Sequence, residues 1–226
     1  MTQPSSRRFV MEDRFLSDLA TFEASVDNNQ LEFETEVNSK IAGLSGYNYV
    51  INGAMDIWQR GVGPFTSTGY CADRWKIDSR TAMTMGQYVQ PFDDYYASNG
   101  MNGKYALEFY STNEVNSVQI SQYFESGYVN SLRGYEVTFS FYAKCRDLTS
   151  PEMHFGIDVS DTADSSTATF ASIVGDTYFY VTETWQRYEA TVTIPYDLNS
   201  AGLRVRFNAD NITLDEHIQI TDVKLE

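Results

Sequence analysis

Few side chains in this sequence could do chemistry, and they are scattered. The two histidines, His154 and His217, each stand alone in a separate alternating run. A zinc site asks for clustered His, Cys or carboxylate ligands, so isolated strand histidines read as surface or rim residues. The two cysteines, Cys71 and Cys145, do not make a disulfide framework. They read as buried thiols, with a single bridge or a functional thiol as the alternatives. Carboxylates adjoin at Asp93–Asp94 and Asp215–Glu216, but a glycosidase needs two carboxyls held roughly 5–10 Å apart across a sugar, and adjacent loop acids are ordinarily solvated. The chain has no G-x-S-x-G elbow, no P-loop, no H-E-x-x-H and no G-x-G-x-x-G after a strand. It reads as a protein that is not an enzyme.

Residues suited to binding are more plentiful. Tyr95 and Tyr96 lie in the loop "PFDDYYASNGMNGK", and Tyr178 and Tyr180 follow in "DTYFYVT". A tyrosine offers a flat apolar face and a hydroxyl at small entropic cost, so these four are the candidate glycan contacts; packing against neighbouring copies is the competing reading. Trp58, Trp75 and Trp185 read as core or rim, because large aromatics in alternating runs are usually buried. Arg204 and Arg206 form a small basic row that balances nearby carboxylates or meets an acidic sugar.

Totals narrow the classes further. The formal net charge is −15, which repels phosphate backbones and anionic bilayers and argues against nucleic acid as a partner. No run approaches the ~20 apolar residues of a membrane span, and no apolar h-region follows Arg7 and Arg8, so neither membrane insertion nor a secretory signal is expected. The 226 residues, 42% of them hydrophobic and 15% aromatic, suffice for a sizeable core.

Two kinds of element must carry these residues. Over residues 1–46 the apolar period is helical. Phe15, Leu19, Phe22, Val26, Asn29 and Phe33 follow heptad spacing, Val37, Ile41 and Leu44 continue it after a slip, and Gly43 and Gly46 end it. The stripe predicts an amphipathic, coiled-coil-like helix, docked on its own domain or paired with other copies. Asn29 at a core position would fix register and oligomer state, and the bulky aromatics favour three chains. Over 47–226 the period is two, as in "YEVTFSFYAK", "TWQRYEATVTIP" and "GLRVRFNA". About ten half-buried strands separated by Gly, Asn, Asp and Ser turns predict a mainly β fold, an antiparallel jelly-roll β-sandwich. "EHIQITDVKLE" changes phase, and a bulge near Thr221 and Asp222 accounts for it. The first and last strands of such a sandwich can be bridged by a structural Ca²⁺, for which Asn52, Asp56 and Asp222 are the candidate ligands; no other cofactor is called for.

The stretch "INGAMDIWQRG", followed by "FTSTGYCADRW", resembles a segment that recurs in phage tail-fibre and other virion-associated proteins, where it begins a carbohydrate-binding-module-like jelly roll. "YEVTFSFYAKC", "TWQRYEATVTIP" and "HIQITDVKLE" are similar to that family's central, late and closing strands. The resemblance spans 47–226 and departs from the usual pattern at Ala54 and Met55, which leaves Asp56 as the remaining acid. It implies a structural role for Trp58, Arg60, Asp73, Arg74 and Trp75. Trp58 and Trp75 would be core, and Asp73 and Arg74 would pin the strand after the glycine-rich crossover.

The expected function is that of a phage virion fibre or receptor-binding protein: a homotrimer, joined to other virion proteins through residues 1–46, that attaches to host surface polysaccharide or lipopolysaccharide. Such a protein would be assembled in the host cytoplasm and released by lysis. The alternative is a structural virion protein (head fibre, decoration or tail adaptor) with no essential ligand.

Overall fold

The computed structural model describes residues 47–81, 83–89, 101, 103–111, 117–146, 152–196, 201–210, 212 and 215–226. The helix expected over 1–46 and the tyrosines Tyr95 and Tyr96 lie outside the described residues. The described chain forms β1 (Gly69–Tyr70), β2 (Lys76–Thr81), β3 (Met83–Val89), β4 (Tyr105–Ser111), β5 (Ser117–Phe124), α1 (Ser126–Leu132), β6 (Glu136–Arg146), β7 (Glu152–Ser160), β8 (Ala171–Tyr180), β9 (Gln186–Thr193), β10 (Gly202–Asp210) and β11 (His217–Leu225). All pairings are antiparallel. They make a six-stranded sheet in the order β1-β2-β5-β10-β7-β8 and a five-stranded sheet in the order β3-β4-β11-β6-β9. The two sheets form a β-sandwich consistent with a jelly roll.

Period-two patterning decides which face each residue takes. In β6, Val137, Phe139, Phe141, Ala143 and Cys145 are buried inward, while Tyr142 and Lys144 point out. Leu203, Val205, Phe207 and Ala209 do the same on β10. Between the sheets the core is aromatic. Phe139 meets Phe155 at 5.5 Å, and Phe141 meets Phe207 edge-on at 4.7 Å between ring centroids, geometries the ring quadrupole favours. Cys71 and Cys145 are free, buried thiols. Burial pushes the Cys71 thiol up to about 11, so it packs as a small hydrophobe.

The closing strand carries the expected bulge. Register shifts between Thr221 and Lys224, with Asp222 at φ 48°, so Ile218, Ile220, Val223 and Leu225 all reach the core. β11 is central in its sheet and also receives the entering chain. Tyr49 N–H donates to the Leu225 carbonyl at 2.9 Å, and Asn48 bonds both Val223 O (3.1 Å) and Leu225 N (3.0 Å). Buried Gln122 clamps Ile51, accepting its N–H at 2.8 Å and donating to its carbonyl at 2.9 Å. A Cβ on Gly53 would lie 2.0 Å from Val223 O, so only glycine lets the entry loop lie flat on β11.

Two local elements differ from the sequence reading. α1 buries Val129 and Leu132 in a stretch too short to display a helical period. β8 starts at Ala171, so of the run "TATFASIV", whose alternation reads as one strand, the first half belongs to the preceding loop.

Candidate functional site

The outward residues of the six-stranded sheet form a polar face. Register sets His154 opposite Asn208, Gly156 opposite Arg206 and Asp158 opposite Arg204 on β7 and β10. At its centre Asp158 Oδ2 accepts from Arg204 Nε at 2.7 Å and from Arg206 Nε at 2.8 Å, with the Asp158 side chain only 2% exposed. The arginines thus balance a carboxylate, as one of the two sequence readings had it, and leave one net positive charge in the trio. Arg206 lies across Gly156, where a Cβ would come within 2.9 Å of Nη2. The Asn208 amide, oriented to satisfy both its groups, accepts from Arg206 Nη1 at 3.1 Å. Asp158 Oδ1 and Ser121 Oγ are buried on this face without a hydrogen-bond partner among the described residues.

Beside the ion cluster stands an aromatic unit. His154 Nε2 lies 3.0 Å from Asp210 Oδ2. Tyr178 stacks on the imidazole with centroids 5.1 Å apart and planes within 5°. Tyr178 is 59% exposed and Tyr180 63%, and both lie on the outer face because Phe179 between them turns inward. The Tyr188 hydroxyl donates to Tyr180 O at 2.9 Å, which fixes the end of β8. The result is a flat aromatic surface backed by a held imidazole.

Residues 161–170 cross the other end of the face as a strap. Phe170 meets Tyr123 edge-on at 5.6 Å and lies 4.7 Å from the Arg204 guanidinium. Lys76 Nζ donates to Ser166 O at 3.4 Å. Asp164 accepts from Ser126 N at 2.7 Å and from Ser126 Oγ at 3.0 Å. Tyr123 donates to Asp78 at 2.8 Å; burial, then Asp78, pushes its phenol up to about 12, so it remains a donor at any physiological pH. Beyond the strap a groove of 520 Å³ is lined by Tyr70, Arg74, Tyr123, Glu125, Asp164 and Ser166 among others.

The opening motif divides between core and surface. Trp75 is fully buried and donates to Asn52 O at 3.2 Å. Trp58 packs at the core's margin, stacked on Phe65 at 6.2 Å, its indole N–H donating to Met55 O. Arg60 pairs with Asp73 at 3.2 Å and Arg74 with Glu125 at 3.3 Å. These residues hold the crossover, yet Arg60, Tyr70, Asp73 and Arg74 also line a second groove of 400 Å³.

Of the candidate calcium ligands, Asp56 and Asp222 are close enough for one charge to act on the other. Burial first, then Asp222, raises the Asp56 carboxyl above its ordinary value, with Lys104 opposing. Asn52 is engaged in its own turn, accepting the Ile57 N–H at 2.9 Å and donating to the carbonyls of Ile57 and Asp73. Among the described residues no three His, Cys, Asp or Glu side chains converge as a metal site. Two carboxylates fit a hard cation, and carbonyl oxygens would have to complete its shell.

Asp158, Tyr123 and Asp210 were not singled out by the sequence reading, and His154, read there as an isolated surface or rim residue, is 8% exposed. Alternation alone places each on an outward face; what brings them together is the β7–β10–β5 pairing, which the sequence does not display.

No family model matches the chain, and no curated protein is a significant match. Solved structures do match in fold. One is the enzymatically active domain of tailspike protein 4 from bacteriophage CBA120, with TM-score 0.51 and 15% identity over 79% of this chain; the match spans 21% of the tailspike chain. Another is a Bacteroides thetaiotaomicron protein of inferred sugar-binding role, with TM-score 0.52 and 12% identity over 79% of this chain and 99% of that one. At such identities the likeness is one of fold.

Proposed function

We propose that the chain is a glycan-binding protein whose contact surface is the outer face of the six-stranded sheet, and that it serves as a phage virion fibre or receptor-binding protein. The observation that carries the reading is the Tyr178–His154–Asp210 unit beside the Asp158–Arg204–Arg206 cluster. A sugar presents an apolar C–H face and a ring of hydroxyls. Tyr178 supplies the stacking surface, and fixed carboxylate, amide and guanidinium groups supply acceptors and donors whose geometry is set before any ligand arrives. The groups are arranged to hold a ligand; binding without turnover is the activity proposed. Asp158 Oδ1 and Ser121 Oγ, which have no hydrogen-bond partner among the described residues, add buried polar capacity.

The fold likeness to a tailspike domain and to a protein of inferred sugar-binding role is compatible with this reading. The virion role follows from the resemblance of the opening motif. Trimerisation through residues 1–46 would turn three weak sites into one firm attachment, and a Ca²⁺ between Asp56 and Asp222 would tie the entry loop to β11.

The test is binding of the labelled full-length protein to a glycan panel and to purified bacterial lipopolysaccharides, alongside Tyr178→Ala and the Tyr95/Tyr96 double alanine variant. Saturable binding to one sugar class, lost in Tyr178→Ala, supports the assignment. Loss only on replacing Tyr95 and Tyr96 moves the site to that loop. No binding at high concentration favours the structural virion role.

A further inference from the structure

Tyr178 stands on β8, at one edge of the six-stranded sheet; β1, at the opposite edge, ends in Tyr70. Tyr70 is 43% exposed. With Arg74 it lines both the 520 Å³ groove and the 400 Å³ groove, so the two meet there as one cleft. The Arg60 guanidinium stands 5.2 Å from the Tyr70 ring centroid and lines the smaller groove. In the larger groove Asp164 accepts from both Ser126 N and Ser126 Oγ, and Lys76 donates to Ser166 O. The strap is thus a fixed wall.

Arg74 has a backbone that its own contacts do not explain. The turn at residues 72–75 closes with Trp75 N–H donating to Ala72 O at 2.9 Å, and Arg74, its third residue, has φ 71°. Glycine or asparagine is favoured at such a position, and an arginine there is strained. Arg74 Nη1 donates to Glu125 Oε1 at 3.3 Å, with the two side chains 37% and 64% exposed. A pair so open contributes less than the strain costs. Nη2 reaches Tyr123 O only at 3.5 Å. A guanidinium has five N–H donors and a carboxylate two oxygens, so both groups keep capacity at accessible positions. The other charges are matched. Arg60 pairs with Asp73, and Lys76 with Asp78 at 3.1 Å. Asp164 is met by Ser126 rather than by a cation, which leaves the cleft faintly acidic.

We infer that this cleft binds a neutral oligosaccharide, a short run of linked hexoses, independently of the Tyr178 surface. One ring lies against Tyr70, on the face that Arg60 does not cover. Two adjacent hydroxyls of that ring meet the Arg74–Glu125 pair, one accepting from the guanidinium and the other donating to the carboxylate. The next ring runs past Gly127, where a Cβ would meet nothing within 4 Å. Matched charges offer an anionic sugar no free counter-ion, and Asp164 and the chain's net charge of −15 oppose it. Each groove falls within the range of about 300–1,000 Å³ usual for ligand sites, so the cleft takes more than one ring.

The experiment is an NMR titration of isotope-labelled full-length protein with neutral trisaccharides of glucose, galactose, mannose and N-acetylglucosamine, and with trigalacturonate as the charged control. Saturable shifts are expected at Tyr70, Gly127 and the Arg74 side chain with at least one neutral trimer, and at least about tenfold weaker binding of trigalacturonate. Tyr70→Ala and Arg74→Gly should each weaken the bound trimer about tenfold. Arg74→Gly should do so without lowering Tm, because glycine relieves the turn. Gly127→Phe, which adds a ring in open space, should block binding at wild-type Tm, so the result does not hang on the folding of one variant. No saturable shift at these residues with any neutral trimer would overturn the assignment. So would tighter binding of trigalacturonate, or wild-type affinity in Arg74→Gly or Gly127→Phe. Shifts confined to His154 and Tyr178 would overturn it while upholding the outer-face site.

Discussion

Tyr178 reaches solvent from the back of an imidazole that Asp210 already holds, so its ring can be removed without opening the core. Tyr178→Ala is expected to weaken glycan binding about tenfold, the worth of a stacking contact with its burial. It should shift Tm by no more than about 2 °C, as surface changes do; calorimetry beside the binding assay separates the two effects. Asp56 gives a pH prediction. Its carboxyl is raised above 3.8, first by burial and then by Asp222. A raised folded value means that the folded state holds the proton more tightly, so the penalty is full at neutral pH and is relieved as pH falls through the folded value toward 3.8. Calcium between the two acids would cancel that penalty. Ca²⁺ should therefore raise Tm at pH 7 and do less near pH 4, and Asp56→Asn should abolish the difference. A Tm unchanged by exhaustive chelation at pH 7 would count against a structural ion. At this scale the sequence was partly legible. Tyr178 and Tyr180 stood out by type, whereas Asp158 and Asp210 were two among 31 acidic residues until pairing set arginine and histidine beside them.

Strand faces were legible because a period of two needs no partner to be seen; Leu203, Val205 and Phe207 declare their side in any context. Partners were not legible. Arg204 and Asp158 stand 46 positions apart, and only the β7–β10 register makes them one cluster. The strap over residues 161–170 was not visible as a cover, since its hold depends on Phe170 reaching Tyr123. Gly156 shows how tightly the β7–β10 pair is built. Gly156→Ala must displace the Arg206 guanidinium from Asp158, and a loss of about 1–3 kcal/mol is expected for breaking that buried bond. Urea denaturation measures it, and Gly127→Ala, with open space around its Cβ, is the control. Among the opening-motif tryptophans, Trp75→Ala should cost about 3–5 kcal/mol as a fully buried aromatic. Trp58→Ala, at the core's margin, should cost less but still lower Tm; unchanged Tm with lost binding would show Trp58 to be a contact residue.

For the whole molecule, the prediction concerns assembly. The heptad stripe of residues 1–46 is expected to make the full chain a trimer by light scattering and a chain starting at residue 47 a monomer with the same sandwich Tm. A monomeric full-length chain would sink the trimer and leave the helix to dock on its own domain. The sandwich class was legible because many short alternating runs admit few architectures, and the division between the sheets was not, because both bury the same residue types. The central place of β11 has a consequence for how the protein is made. β4 and β6 are synthesised long before residues 217–225, and each pairs with that last strand. Until it leaves the ribosome, both present an open strand edge, a template for pairing with other chains. A message damaged upstream of codon 217 would therefore yield a product that cannot close its five-stranded sheet, and such a product would be cleared or would aggregate rather than compete with intact subunits for a place in an assembly.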